Sequence, residues 1–124
     1  MYIKRTKAEF DTMRGLNLES IPKYIEFNTD AIWTKSNGEE VKVCYVVMEN
    51  VEGIELIDLF NNLGRRATEP ELRYVFSYVA LALHGLHRAG ISHRDIKPEN
   101  IIFTNDYGIK LIDFGFSINL AGRK

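Results

Sequence analysis

Cysteine is nearly missing from the sequence: Cys44 is the only one among 124 residues. No disulfide can form within the chain, and a reducing compartment is the natural setting. Cys44 sits in the apolar run Val43 to Met48, where a buried, inert thiol is expected. With three prolines and nine glycines, there is no low-complexity segment, no repeat and no obvious interdomain linker. Neither sign of charge dominates, since 16 Lys and Arg face 17 Asp and Glu. That balance leaves no electrostatic footprint for nucleic acid or an acidic membrane surface. No apolar stretch approaches the ~20 residues a membrane span needs, and the start, MYIKRTKAEF, has no apolar signal-peptide region. A soluble protein of the cytoplasm or nucleus is expected.

What remains is ordinary globular material. Hydrophobic residues make up 45% and charged residues 27%, enough for one small domain with a core. Thr6 to Leu16 reads as a short helix with Glu9, Met13 and Leu16 on one stripe. Tyr24 to Trp33 and Val41 to Met48 read as strands joined by an Asn37-Gly38 turn. The segment EGIELIDLFNNLG then reads as a short helix stopped by Gly64. Thr68 and Glu71 form a T-x-x-E capping box, with Pro70 tolerated in the first turn. Leu72, Val75, Phe76, Val79, Leu83 and Leu86 follow at helical spacing to Ala89. His87 and Arg88 suit the negative end of that helix, and Gly90 its left-handed stop. Ile101 to Phe103 and Ile109 to Ile112 read as two short strands around a turn at Thr104 to Gly108.

Two segments carry chemistry. HRDIKPEN (His93 to Asn100) follows the long helix, and DFG (Asp113 to Gly115) follows the last strand. Together they match H-R-D-x-x-x-x-N and D-F-G in the required helix-loop-hairpin context. On these motifs the chain resembles the eukaryotic serine/threonine protein kinase family. The resemblance implies an α+β fold: an N-lobe remnant with a small antiparallel sheet (1–48), a hinge (49–55), and the start of a helical C-lobe (56–124).

The implied chemistry is ATP- and magnesium-dependent phosphoryl transfer, which asks mainly for positioning and electrostatic stabilisation. Asp95 would orient the incoming hydroxyl and accept its proton, and Lys97 would bring positive charge to the transferred group. Asn100 and Asp113 would supply hard oxygen ligands to magnesium. Met48 matches the gatekeeper position, Glu49 and Val51 the hinge backbone groups facing adenine, Glu55 an acidic position near the ribose, and Ile102 the floor under the base. Core packing is the plain alternative for Met48, Val51 and Ile102. Glu9 resembles the helix glutamate that pairs with a nucleotide-binding lysine. His93 and Phe114 resemble members of the family's packing spine, together with Met13 and Tyr24. Lys97 implies serine or threonine acceptors on protein substrates.

The likeness is partial. None of the nine glycines lies two residues from another, so there is no Gly-x-Gly-x-x-Gly loop. Lys4, in MYIK, looks like the end of V-A-I-K, but Glu9 follows too soon; an exposed basic residue ahead of a helix is the plain reading. No A-P-E motif follows DFG, and Arg94 then lacks a visible partner. The resemblance therefore covers the middle of a kinase domain. Such a piece is expected to be inactive alone. Its long helix also carries Tyr74, Tyr78 and Leu81, and expects cover from the missing kinase lobes or from a partner. The rival is a non-catalytic, kinase-derived nucleotide-binding or regulatory module.

Overall fold

Helix formation in the centre of the chain is dictated locally. In the computed structural model, which describes residues 2–120 and the side chains of 4–120, the long helix is α3, Glu69–Arg88. Thr68 Oγ1 accepts from the Glu71 N–H at 3.3 Å, and Glu71 Oε1 accepts from the Thr68 N–H at 2.9 Å. Arg65 grips the same carboxylate with two N–H donors at 2.8 and 3.1 Å. These bonds, Arg65 foremost, hold the Glu71 carboxyl down at about 2. The box is therefore whole above the ordinary glutamate range and is lost only as pH falls toward about 2. Val75, Val79, Ala82 and Leu86 form the buried stripe. Gly90 ends the helix at φ 81°, its N–H donating to the His87 carbonyl.

Before α3 lie α1 (Tyr2–Met13), β1 (Tyr24–Thr34), β2 (Glu40–Met48), β3 (Gly53–Glu55) and α2 (Leu56–Asn62). After it come β4 (Ile91–Ser92), a 3-10 turn (Pro98–Asn100), β5 (Ile101–Thr104), β6 (Ile109–Leu111) and β7 (Ile118–Asn119). β1 and β2 pair antiparallel, from Thr34 opposite Glu40 at the turn to Tyr24 opposite Met48 at the far end. Gly38 sits at φ 86° in their turn, where Asn37 Oδ1 accepts from the Glu39 N–H. β3, β5 and β6 form a second antiparallel sheet in that order, and β4 pairs with β7. α1 packs on the first sheet, with Phe10 stacked on Phe27 at 5.8 Å. The core joins α1, α3 and the β5–β6 hairpin through Met13, Ile21, Leu86, Ile101, Leu111 and Phe114.

Several boundaries differ from expectation. The first helix begins at Tyr2 and ends at Met13, so Lys4 lies within it; Gly15, at φ 78°, turns the chain before Leu16. Gly53–Glu55 is strand, not helix. It lies so close to β5 that a Cβ on Gly53 would collide with the Phe103 carbonyl. Close backbone approach overrides helical patterning there. The β4–β7 pair has no local pattern to announce it. Cys44 is half-buried, not buried, because the first sheet exposes large apolar groups such as Ile32 and Trp33. On α3, Phe76 and Leu81 are 61% and 66% exposed, with Tyr74 and Tyr78 partly so. Tyr74, Tyr78 and Leu81 are the uncovered flank expected of the long helix, whereas Phe76, expected on the inward stripe, is exposed because Val75, Val79, Ala82 and Leu86 complete that stripe without it. Among the described residues, no helix is long and apolar enough to cross a membrane.

Candidate active site

The loop after β4 is organised around a buried imidazole. His93 is 1% exposed and meets Phe114, itself 0% exposed, edge-on at 4.6 Å. Its Nδ1 accepts from the Asp95 N–H at 3.1 Å, so Nε2 carries the ring proton and donates to the Ile112 carbonyl at 2.8 Å. One side chain thus ties the loop at Asp95 to the strand end before Asp113. Met13 and Tyr24 are buried in the same core.

Asp95, Lys97 and Asn100 are brought together. Asn100, 5% exposed, donates through Nδ2 to the Asp95 carbonyl at 3.0 Å and to Asp95 Oδ2 at 3.1 Å. Lys97 Nζ lies 3.7 Å from the same Oδ2. The Asn100 carbonyl accepts from the Ile112 N–H at 3.0 Å, which binds the loop to the segment leading into Asp113.

Met48, Glu49, Val51, Ile102 and Asp113 line one open cavity of about 550 Å³, together with Glu9, Pro22, Tyr24, Asn50 and Ile112. β2 supplies Met48, β5 supplies Ile102, and the end of β6 leads to Asp113. Glu55 is not among the lining residues; it stands at the N-cap position of α2 without a side-chain capping bond and pairs with Ile102 in the ladder. Pro22, Asn50 and Ile112 are lining residues that the sequence does not single out: Asn50 lies within the expected hinge and Ile112 at the end of an expected strand, but no motif assigns them a role in the site.

Asp113 takes a left-handed backbone, φ 58°, and Arg94 does so at φ 67°. Non-glycine residues in this region concentrate where a site constrains the chain. Asp113 Oδ1 accepts from the Gly115 N–H at 3.3 Å. Arg94 has a partner after all: its Nε donates to the Phe116 carbonyl at 2.7 Å. Arg5 of α1 donates to the Gly115 carbonyl at 3.2 Å and stacks on the Phe116 ring at 4.3 Å. The residues after Asp113 are therefore held from both sides.

Glu9 accepts from the Tyr24 hydroxyl at 2.5 Å rather than from a lysine. Burial, then the Glu9 hydrogen bond, push the Tyr24 hydroxyl well above the usual tyrosine range. Lys4 is exposed, with no ion pair found among the described residues. Glu49 is held below the usual carboxylate range, first by Lys110 and then by the Lys23 N–H.

The donor set suits magnesium. That ion is commonly held by one or two carboxylates together with nucleotide phosphates and water. Asp113 offers a carboxylate at the cavity wall, and Asn100, its nitrogen committed to Asp95, can offer its oxygen. No cluster of three or more metal-ligating side chains exists among the described residues, so no all-protein cage is present there.

Comparison with known proteins agrees with the motifs. A profile described as "Protein kinase domain" matches residues 2–124. The chain is 38% identical over 115 residues to Citron rho-interacting kinase of Rattus norvegicus, covering 93% of this chain and 5% of that protein. It is 33% identical over 120 residues to Maternal embryonic leucine zipper kinase of Xenopus laevis, covering 97% and 17% respectively. Over 73 residues it is 47% identical to Serine/threonine-protein kinase greatwall of Homo sapiens, covering 59% and 8%. The chain spans less than a fifth of the length of these relatives. It belongs to the protein kinase domain family, as part of a kinase domain of the eukaryotic serine/threonine type.

Proposed function

We propose that this segment supplies the hinge, catalytic loop and magnesium-binding motif of an ATP-dependent serine/threonine protein kinase. Residues 1–48 belong to the smaller lobe, 49–55 to the hinge and 56–124 to the start of the larger lobe. Asp95 accepts the proton of the acceptor hydroxyl, with Lys97 beside it as a local cation. Asn100 orients Asp95 and, with Asp113, offers oxygen to magnesium. Met48, Ile102 and the Glu49 and Val51 backbone line the nucleotide's place, and Glu55 sits near the ribose end. When bound, magnesium neutralises phosphate charge. The partners are protein substrates and whatever covers the outer flank of α3. The unpaired Cys44 favours a cytoplasmic or nuclear location.

The observation that carries this reading is the junction of the two motifs. The His93 ring and the Asn100 carbonyl both bond to Ile112, next to Asp113. The test is nucleotide titration of Asp113→Ala with and without magnesium. Magnesium-dependent binding should weaken at least about tenfold, as for loss of a charged ligand, and magnesium-free binding much less. Equal weakening in both conditions would remove Asp113 from the metal site.

Acceptor type follows from Lys97. In a complete kinase domain containing this segment, phosphoamino-acid analysis should give phosphoserine and phosphothreonine. Chiefly phosphotyrosine would overturn the assignment.

A second reading has its own support. Glu9 is engaged by Tyr24 in place of a lysine, and the sequence has no Gly-x-Gly-x-x-Gly loop. Both features favour a kinase-derived module that binds nucleotide or a partner without catalysis. Retention of Asp95, Asn100 and Asp113 in a connected network favours the enzyme.

A further inference from the structure

Glu49 and Lys110 are 61 residues apart in sequence. Lys110, on β6, donates through Nζ to both Glu49 oxygens at 3.1 and 3.2 Å, and its side chain is only 19% exposed. The same carboxylate accepts from the Lys23 N–H at 3.1 Å, while the Glu49 N–H donates to the Lys23 carbonyl at 2.8 Å. One residue is thus tied, through main chain and side chain, to two separate parts of the fold. It is also the first residue after β2, where regular pairing stops.

That location matters. From Glu49 to Glu52 the chain has no ladder, and no intrachain acceptor for the Val51 N–H is found among the described residues. Glu49 and Val51 nevertheless line the candidate nucleotide cavity, while Lys110 lines a separate depression behind them that they share. A two-pronged, partly buried ion pair orders its surroundings far better than an isolated surface pair. Beyond Glu49, the backbone tie found in this stretch is the Asn105 N–H donating to the Glu52 carbonyl at 3.4 Å, a long bond.

We propose that Lys110, through Glu49 and its bonds to Lys23, positions the Glu49 and Val51 backbone groups that receive the nucleotide base. Lys110 is a positioning residue, since it reaches the site only through Glu49. The proposal rests on the nucleotide-site reading, whereas the clamp itself is testable without nucleotide.

The experiment compares the 124-residue chain with its Lys110→Met and Lys110→Arg variants. Amide hydrogen exchange is measured without nucleotide, and magnesium-ADP affinity by titration. In Lys110→Met, the Glu49 amide, which donates to the Lys23 carbonyl, should exchange about tenfold faster, as for loss of a charge-assisted bond, while those of Val79 and Leu86 stay unchanged. Magnesium-ADP should bind about tenfold more weakly, and Lys110→Arg should restore most of both effects. Unchanged hinge exchange overturns the clamp. Faster exchange throughout the core makes Lys110 a general stabiliser and overturns its positioning role. Faster hinge exchange with unchanged ADP affinity overturns that role but leaves the nucleotide site standing. Parent chain that binds no ADP overturns the site reading, and the positioning role with it.

Discussion

Asp95→Asn, placed in a complete kinase domain containing this segment, is expected to lower turnover about 10³-fold, the usual weight of a positioned general base. Nucleotide affinity should be preserved, because Asp95 does not line the nucleotide cavity. Asparagine keeps the outline of the side chain, so its main-chain bonds to His93 and Asn100 can persist. What disappears is the charge that faces Lys97 at 3.7 Å and that the proposed function assigns to accepting the proton. Loss confined to turnover is the mark of an interaction used in the transition state. Single-turnover kinetics at saturating nucleotide would check it, and near-normal rates in the variant would exclude Asp95 from the chemistry.

Phe114→Ala should be nearly as severe, but in stability. The ring is 0% exposed and packs edge-on against His93. Removing a buried phenylalanine costs about 3–5 kcal/mol. A small domain has only about 5–15 kcal/mol in all, and a chain with an exposed flank belongs at the low end. The variant should lose its cooperative denaturant transition or move it far down, and Phe114→Leu should recover most of the loss. A midpoint shift worth less than about 1 kcal/mol would mean that this core can collapse into the space.

What could be read from the sequence follows how locally each feature is encoded. The start of α3 was legible because Thr68 and Glu71 satisfy one another within a single turn. The β1–β2 hairpin was legible because Asn37-Gly38 marks a turn, with Gly38 taking the left-handed position, between two runs rich in aromatic and β-branched residues. Asp95, Lys97 and Asn100 were legible as a group because one short loop carries them. The distant ties were not. Nothing in the neighbourhood of Arg94 points to the Phe116 carbonyl, and nothing near Glu49 points to Lys110. Strand β3 was misread because its reason for being extended lies across the sheet, in Phe103. Cys44 was misjudged for the opposite reason. Its neighbours are apolar, yet burial needs a second layer, and the first sheet leaves Ile32 and Trp33 in the open.

The open flank of α3 has a consequence in mass action. Anything that docks over Phe76 and Leu81 binds only the folded chain, because the unfolded chain has no such surface. Its binding therefore adds RT ln(1 + [L]/Kd) to folding, about 2.7 kcal/mol at a hundredfold excess over Kd. A separate protein follows this form directly, further polypeptide of the same chain enters it as an effective concentration, and another copy makes the gain depend on the chain's own concentration. The melting temperature of this chain is then a function of concentration and company, not a constant of its sequence.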